Sequence, residues 1–219
     1  MPDFPWFNGT TRRTLTGRTV TKSPIWSSVI PKAVKDFTDL FARLKLNVGL
    51  TLASQTDQPE AEKNHYGGAD IWVEAEEQFE FPVSGEKVKL DFSTEPFGRG
   101  VTRALPWDFG IGQQVDIRIR KACVLMRPKP KSDDWPRLVG NRVLVLWTVH
   151  EFIHAIGLDA HTHGGGDLFE ANPTLRSGKR DDAETDKLEV IGGTRIPPDP
   201  PATLNITGNT INRIQKIWP

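Results

Sequence analysis

One cysteine in 219 residues excludes an internal disulfide, so the fold cannot depend on one. Charge of one sign is missing too. The 28 Lys and Arg side chains balance 28 Asp and Glu, leaving no field to draw nucleic acid or an anionic lipid surface. Those charges are interspersed, as on a solvated globular surface. No apolar run approaches the ~20 residues that cross a bilayer, so no membrane partner is expected. The opening "MPDFPWFNGTTRRTLTG" lacks the basic region and apolar run of a signal peptide. Methionine occurs only as Met1 and Met126, and tyrosine only as Tyr66.

What is present supports a globular chain. Hydrophobic residues make up 37%, enough for a core, and the length suits a single domain. Residues 1–28 are rich in Thr, Ser, Arg and Pro and read as an N-terminal arm, with Trp6 and Phe7 as anchors. Residues 29–219 then form one domain. In "IPKAVKDFTDLFARLKL", Val34, Phe37, Phe41 and Leu44 recur three and four apart, which predicts an amphipathic helix with Pro31 in its first turn. Strands are predicted over 46–53, 69–76, 86–93 and 114–126 from their alternation and β-branched content. The stretch "NRVLVLWTVHEFIHAIG" has no polar stripe between Val143 and Val149, so it reads as a buried helix. Residues 164–205 carry the loop signals "GGGD" and "IPPDPPAT". The end, "TGNTINRIQKIWP", predicts a short closing helix through Ile211, Ile214, Ile217 and Trp218. Helices and strands are segregated, which predicts an α+β domain: a twisted mixed sheet packed on an N-terminal helix and a buried helix.

Four of the five histidines fall between residues 149 and 169, in "VHEFIHAIGLDAHTHGGGDLF". On a helix, His150 and His154 stand one turn apart on one face and can offer two imidazoles to one ion. Glu151 is displaced by about 100° around the axis and points beside that ion, where a general base belongs. Two neutral imidazoles suit zinc, whose bound water has a pKa lowered to roughly 7. Burying two histidines and a glutamate in so apolar a helix is costly without such a use. Gly157 can take the left-handed conformation that ends a helix and turns the chain back. Asp159 comes before that turn could close and is a weaker oxygen-ligand candidate. His161 and His163 follow it on the same side of an extended stretch, and spacing does not choose between them as third ligand.

The string "HEFIHAIGLDAHTH" resembles the metzincin signature HExxHxxGxxH, and its flavour is most similar to the matrixins. The family's third histidine falls three residues after the glycine, and here that position is Ala160. "GVTRALPWDFGIGQQVDIRI" is similar to the matrixin stretch from the substrate-binding edge strand into the next strand, with Gly100, Ala104 and Pro106 in place. "ADIWV" and "TINRIQKIW" also look like matrixin elements. The resemblance implies a metzincin-like fold and a secreted zinc endopeptidase acting on peptide or protein substrates as a monomer. It implies one catalytic zinc on His150, His154 and either His161 or His163. Glu151 would act as general base on the zinc-bound water. Val101, Thr102, Arg103, Ala104 and Leu105 would bind the substrate backbone. Arg103 stands where family members with a structural zinc have a histidine, so no second zinc is expected; calcium is possible but forms no part of the prediction.

Two family features are absent. No methionine follows the motif to form the Met-turn, so Leu168 or Phe169 would supply its apolar floor. Cys123 lies in the strand pattern "RKACVLM" and reads as a small buried hydrophobe rather than a latency switch. The displaced third histidine and the missing Met-turn leave one alternative, a catalytically silent domain of the same fold that binds peptide or protein, and the lack of a signal-peptide pattern leaves another, a metalloprotease toxin with one narrow target.

Overall fold

A computed structural model of the protein describes residues 5–6, 14–19, 23–53, 69–83, 86–91, 100–111, 114–128, 141–158, 190–191, 194–195, 206 and 208–219. In chain order the elements are β1 (Thr14–Thr19), α1 (Pro24–Arg43), β2 (Gly49–Leu52), β3 (Ile71–Glu74), β4 (Gln78–Val83), β5 (Glu86–Asp91), β6 (Gly100–Ile111), β7 (Gln114–Met126), α2 (Asn141–Ala155), β8 (Val190–Ile191), β9 (Thr194–Arg195) and α3 (Gly208–Ile217). Five strands form one mixed sheet in the order β2-β1-β3-β7-β6. All neighbours run parallel except β6, the antiparallel edge strand beside β7. The β4–β5 and β8–β9 pairs are separate two-stranded sheets. Among the described residues no helix is long and apolar enough to cross a membrane.

Period-two alternation decides which side chains meet the helices. Leu15, Ile71, Val73, Ala122, Val124 and Met126 join one core with Val29, Ile30, Phe37 and Phe41 of α1 and Val145, Val149, Phe152 and Ile153 of α2. The opposite parity puts Trp72 and Glu74 together on the other face, where the Trp72 indole N–H donates to the Glu74 carboxylate. All four residues of β3 are buried, as a central parallel strand requires. Helices α1 and α2 pack on each other through Phe37, which stacks on Phe41 at 4.0 Å and meets Phe152 edge-on at 6.1 Å.

Strand β6 pairs with β7 over its whole length and shifts register between Leu105 and Pro106. Arg120 has no opposite number there, the mark of a bulge. The bulge flips the pleat, so Ile119 faces the same core as Ala122 and Val124. A proline, with no N–H to donate, is tolerated at such a bulge on an edge strand.

Several sequence expectations need correction. Part of the segment read as an N-terminal arm, residues 1–28, lies inside the domain: Thr14–Thr19 is strand β1, flanked by β2 and β3, and α1 already begins at Pro24. Trp6 is buried at 3% exposure and bridges to Ile119, whereas Phe7 lies outside the described residues. Pro31 is not in the first helical turn but inside α1, where Pro24 holds the N-terminal position instead. The cost of an interior proline, about 3 kcal/mol, is offset by burial of Trp26, Val29 and Ile30 before it and of Ala33, Val34 and Phe37 after it. The strand read over 86–93 exists as β5, yet it pairs with β4 and not with the main sheet. Helix α3 follows its expected face: Ile214 and Ile217 are buried and Ile211 packs partly against the core. Cys123 is buried, as its strand pattern predicts.

Candidate functional site on the buried helix

Helix α2 is buried at every residue from Leu144 to Val149, and its one polar side chain there, Thr148, donates its hydroxyl to the Leu144 carbonyl at 2.8 Å. Its last turn carries the polar cluster. His150 and Glu151 are half-buried, and His154 is buried at 7% exposure. The four-residue spacing brings His150 Nε2 and His154 Nε2 to 3.1 Å, with the rings nearly perpendicular at 80°.

The tautomer of His154 follows from its other nitrogen. His154 Nδ1 lies 3.1 Å from the Leu158 carbonyl oxygen. A carbonyl only accepts, so Nδ1 carries the proton and donates it. In the neutral ring Nε2 is then bare. Two bare nitrogens do not face each other at 3.1 Å without a cation between them. Either a proton on His150 Nε2 or a shared metal ion satisfies that contact. An imidazole that donates Nδ1–H to a backbone carbonyl while offering Nε2 is oriented as metal-binding histidines are.

The chain beyond α2 is built to hold that carbonyl in place. Gly157 has φ 120°, a conformation that penalises any side chain, and its N–H donates to the His154 carbonyl at 2.9 Å. The helix-terminal carbonyls then receive donors from far along the chain. Trp6 Nε1 donates to the Ala155 carbonyl at 2.9 Å, and Trp218 Nε1 donates to the Ile156 carbonyl at 3.1 Å. Both indoles are buried, so tertiary contacts satisfy these two carbonyls at the end of α2. Trp6→Phe is expected to lower stability by about 1–3 kcal/mol, because it strips a buried carbonyl of its donor. Urea unfolding measures this, and an unchanged midpoint would mean that the indole contact contributes nothing.

Glu151 faces the edge strand. Thr102 Oγ1 donates to the Glu151 carboxylate at 2.6 Å and lies 3.0 Å from the Glu151 backbone carbonyl. Gly100, two residues earlier and so on the same face of β6, makes room for the stem. A Cβ there would stand 3.1 Å from Glu151 Cγ and 3.0 Å from Met126 Sδ. Glycine at 100 therefore serves a close approach between strand and helix.

Of the residues singled out from sequence, the structure brings together His150, Glu151, His154 and Thr102. Val101 is half-buried, and Arg103, Ala104 and Leu105 are placed on β6 opposite Cys123, Ala122 and Lys121. Asp159, Ala160, His161, His163, Leu168 and Phe169 lie outside the described residues. Among the described residues no three or more His, Cys, Asp or Glu side chains gather around one point. Sequence reasoning missed the contacts of three contributors: Thr102 appears in it only as a substrate-backbone residue of the edge strand, Met126 only as a methionine ahead of the motif, and Trp6 only as a surface anchor.

No protein-family model matches the chain, and no curated protein matches it either.

Proposed function

We propose that the chain is a zinc-dependent endopeptidase with a metzincin-like, matrixin-like fold. The observation that carries this reading is the pair of imidazoles on α2, with His154 held in the metal-binding tautomer by the Leu158 carbonyl. Two nitrogens about 2.05 Å from one zinc ion at the tetrahedral angle stand about 3.3 Å apart. The observed 3.1 Å therefore fits two ligands of one ion with little adjustment. His161 or His163 supplies the third nitrogen, and both stay candidates.

A zinc ion held there supplies Lewis acidity to water and to the scissile carbonyl. The chain's own groups do the rest. His150 gives up any proton on Nε2 when it becomes a ligand. Glu151, beside the two imidazoles, takes a proton from the attacking water and delivers it to the leaving amine nitrogen. The antiparallel edge strand β6, from Val101 to Leu105, supports an extended peptide through backbone hydrogen bonds. Its position beside Glu151 supports the same assignment.

Zinc per chain, measured by elemental analysis after exhaustive dialysis, tests the reading. The expected content is about one ion, as for a catalytic site with three protein ligands. His161→Ala and His163→Ala should then differ, with the true ligand's variant losing the metal. A chain that holds no zinc, and regains none when it is added to folded protein, would overturn the proposal. Zinc-loaded chain that turns over no member of a broad peptide library would instead favour the silent, peptide-binding alternative.

A further inference from the structure

We propose that Thr102 is the positioning residue for Glu151, fixing the direction of the general base from the edge strand; the catalytic half of this assignment rests on the peptidase reading. The contact is asymmetric. One hydroxyl hydrogen faces two acceptors of the same residue, the carboxylate at 2.6 Å and the backbone carbonyl at 3.0 Å. The shorter distance belongs to the carboxylate, as expected for a charge-assisted O–H···O bond. A glutamate side chain has three rotatable bonds, and its terminal torsion is broad and weakly defined. With one carboxylate oxygen and its own carbonyl both tied to Thr102 Oγ1, the head has little freedom relative to the helix backbone.

The strand is shaped for this task at two successive inward positions. Gly100 admits the stem of Glu151 at a distance that a Cβ would contest, and Thr102 holds the head. Both sit opposite buried residues of β7, Met126 and Val124, so the clasp rests on a paired strand. A site carried on paired elements holds geometry better than one on a loop. The same strand is the proposed peptide rail, so substrate seating and base alignment share one rigid element.

The test compares Thr102→Val, which keeps the shape and removes the hydroxyl, with Thr102→Ser, which restores it. Thr102→Val is expected to lower kcat by about 10–100-fold, with KM changed by less than about twofold and zinc content unchanged. Thr102→Ser should stay within about threefold of the parent, since its hydroxyl can make the same bond. In a Glu151→Gln background Thr102→Val should cause no further loss of kcat, because it acts through Glu151. A second readout needs no activity. Urea midpoints of the metal-free parent, Thr102→Val, Glu151→Ala and the Thr102→Val/Glu151→Ala double variant should be non-additive, since either change alone removes the side-chain contact. Additive midpoints, or a Thr102→Val enzyme with parental kcat, would overturn the assignment. If the parent binds zinc and cuts nothing, the peptidase reading falls and takes the catalytic half of this assignment with it. The midpoints of the metal-free protein then still decide whether the clasp exists.

Discussion

Glu151→Gln should leave the zinc content of the chain unchanged and reduce peptide turnover by about 10²–10⁴-fold, the usual range for removing a general acid–base. The amide matches the carboxylate in size, and its oxygen can still accept from Thr102 Oγ1. Packing beside Gly100 is therefore preserved, and what disappears is the ability to take and return a proton. His150 and His154 are untouched, and their 3.1 Å approach does not involve Glu151. The measurement is kcat on a cleavable peptide together with zinc per chain. Parental turnover in this variant would remove Glu151 from the mechanism. Loss of zinc along with turnover would mean that residue 151 helps to hold the metal, a different role.

The largest effect on stability is expected one residue later. Phe152→Ala should cost about 3–5 kcal/mol, the range for truncating a buried aromatic residue. Phe152 is fully buried, and its edge meets Phe37 at 6.1 Å and 88°. Phe37 in turn stacks on Phe41, so the three rings fasten α2 to α1. Domains of this size are stable by only about 5–15 kcal/mol, so the loss takes a large fraction of the whole. Urea unfolding followed by far-UV circular dichroism should show a markedly lower midpoint. Ile211→Ala, at a half-buried position on α3, should shift it much less. Equal shifts from the two would contradict the central place given to the aromatic contact. Glu151 and Phe152 divide the work of adjacent helix positions: one turns to β6 and the other to α1.

How much of this was legible in the sequence depends on what each pattern hides. The buried helix declared itself, because its run from Val143 to Val149 leaves no face for water. Gly157 did too, since a glycine after the last turn has a short list of uses, and it takes a positive φ as expected. Strand β7 was readable over its full length from Gln114 to Met126 because its β-branched alternation is long. Strand β1 was not. Its buried positions are Leu15, Gly17's close approach and Thr19, so one large apolar residue marks a strand between two parallel partners. Threonine and arginine in "TLTGRT" read equally well as an exposed arm. The start of α1 was missed because two prolines, Pro24 and Pro31, both suit a first turn, and local propensity cannot say which is used. Thr102 was out of reach for another reason. Its partner is 49 residues away, and no spacing rule links a strand hydroxyl to a helix carboxylate.

The closure of α2 has a consequence for how the site comes into being. Its donors are Trp6, 149 positions before Ala155, and Trp218, 62 positions after Ile156. Contacts of such sequence separation carry a loop-closure entropy that local helix formation does not. A peptide spanning 141–158 would contain both imidazoles and Gly157 at their proper intervals, yet neither indole. The contacts that orient His154 itself are local, to Gly157 and Leu158, whereas the neighbouring carbonyls of Ala155 and Ile156 gain their buried indole partners only when both distant segments are in place.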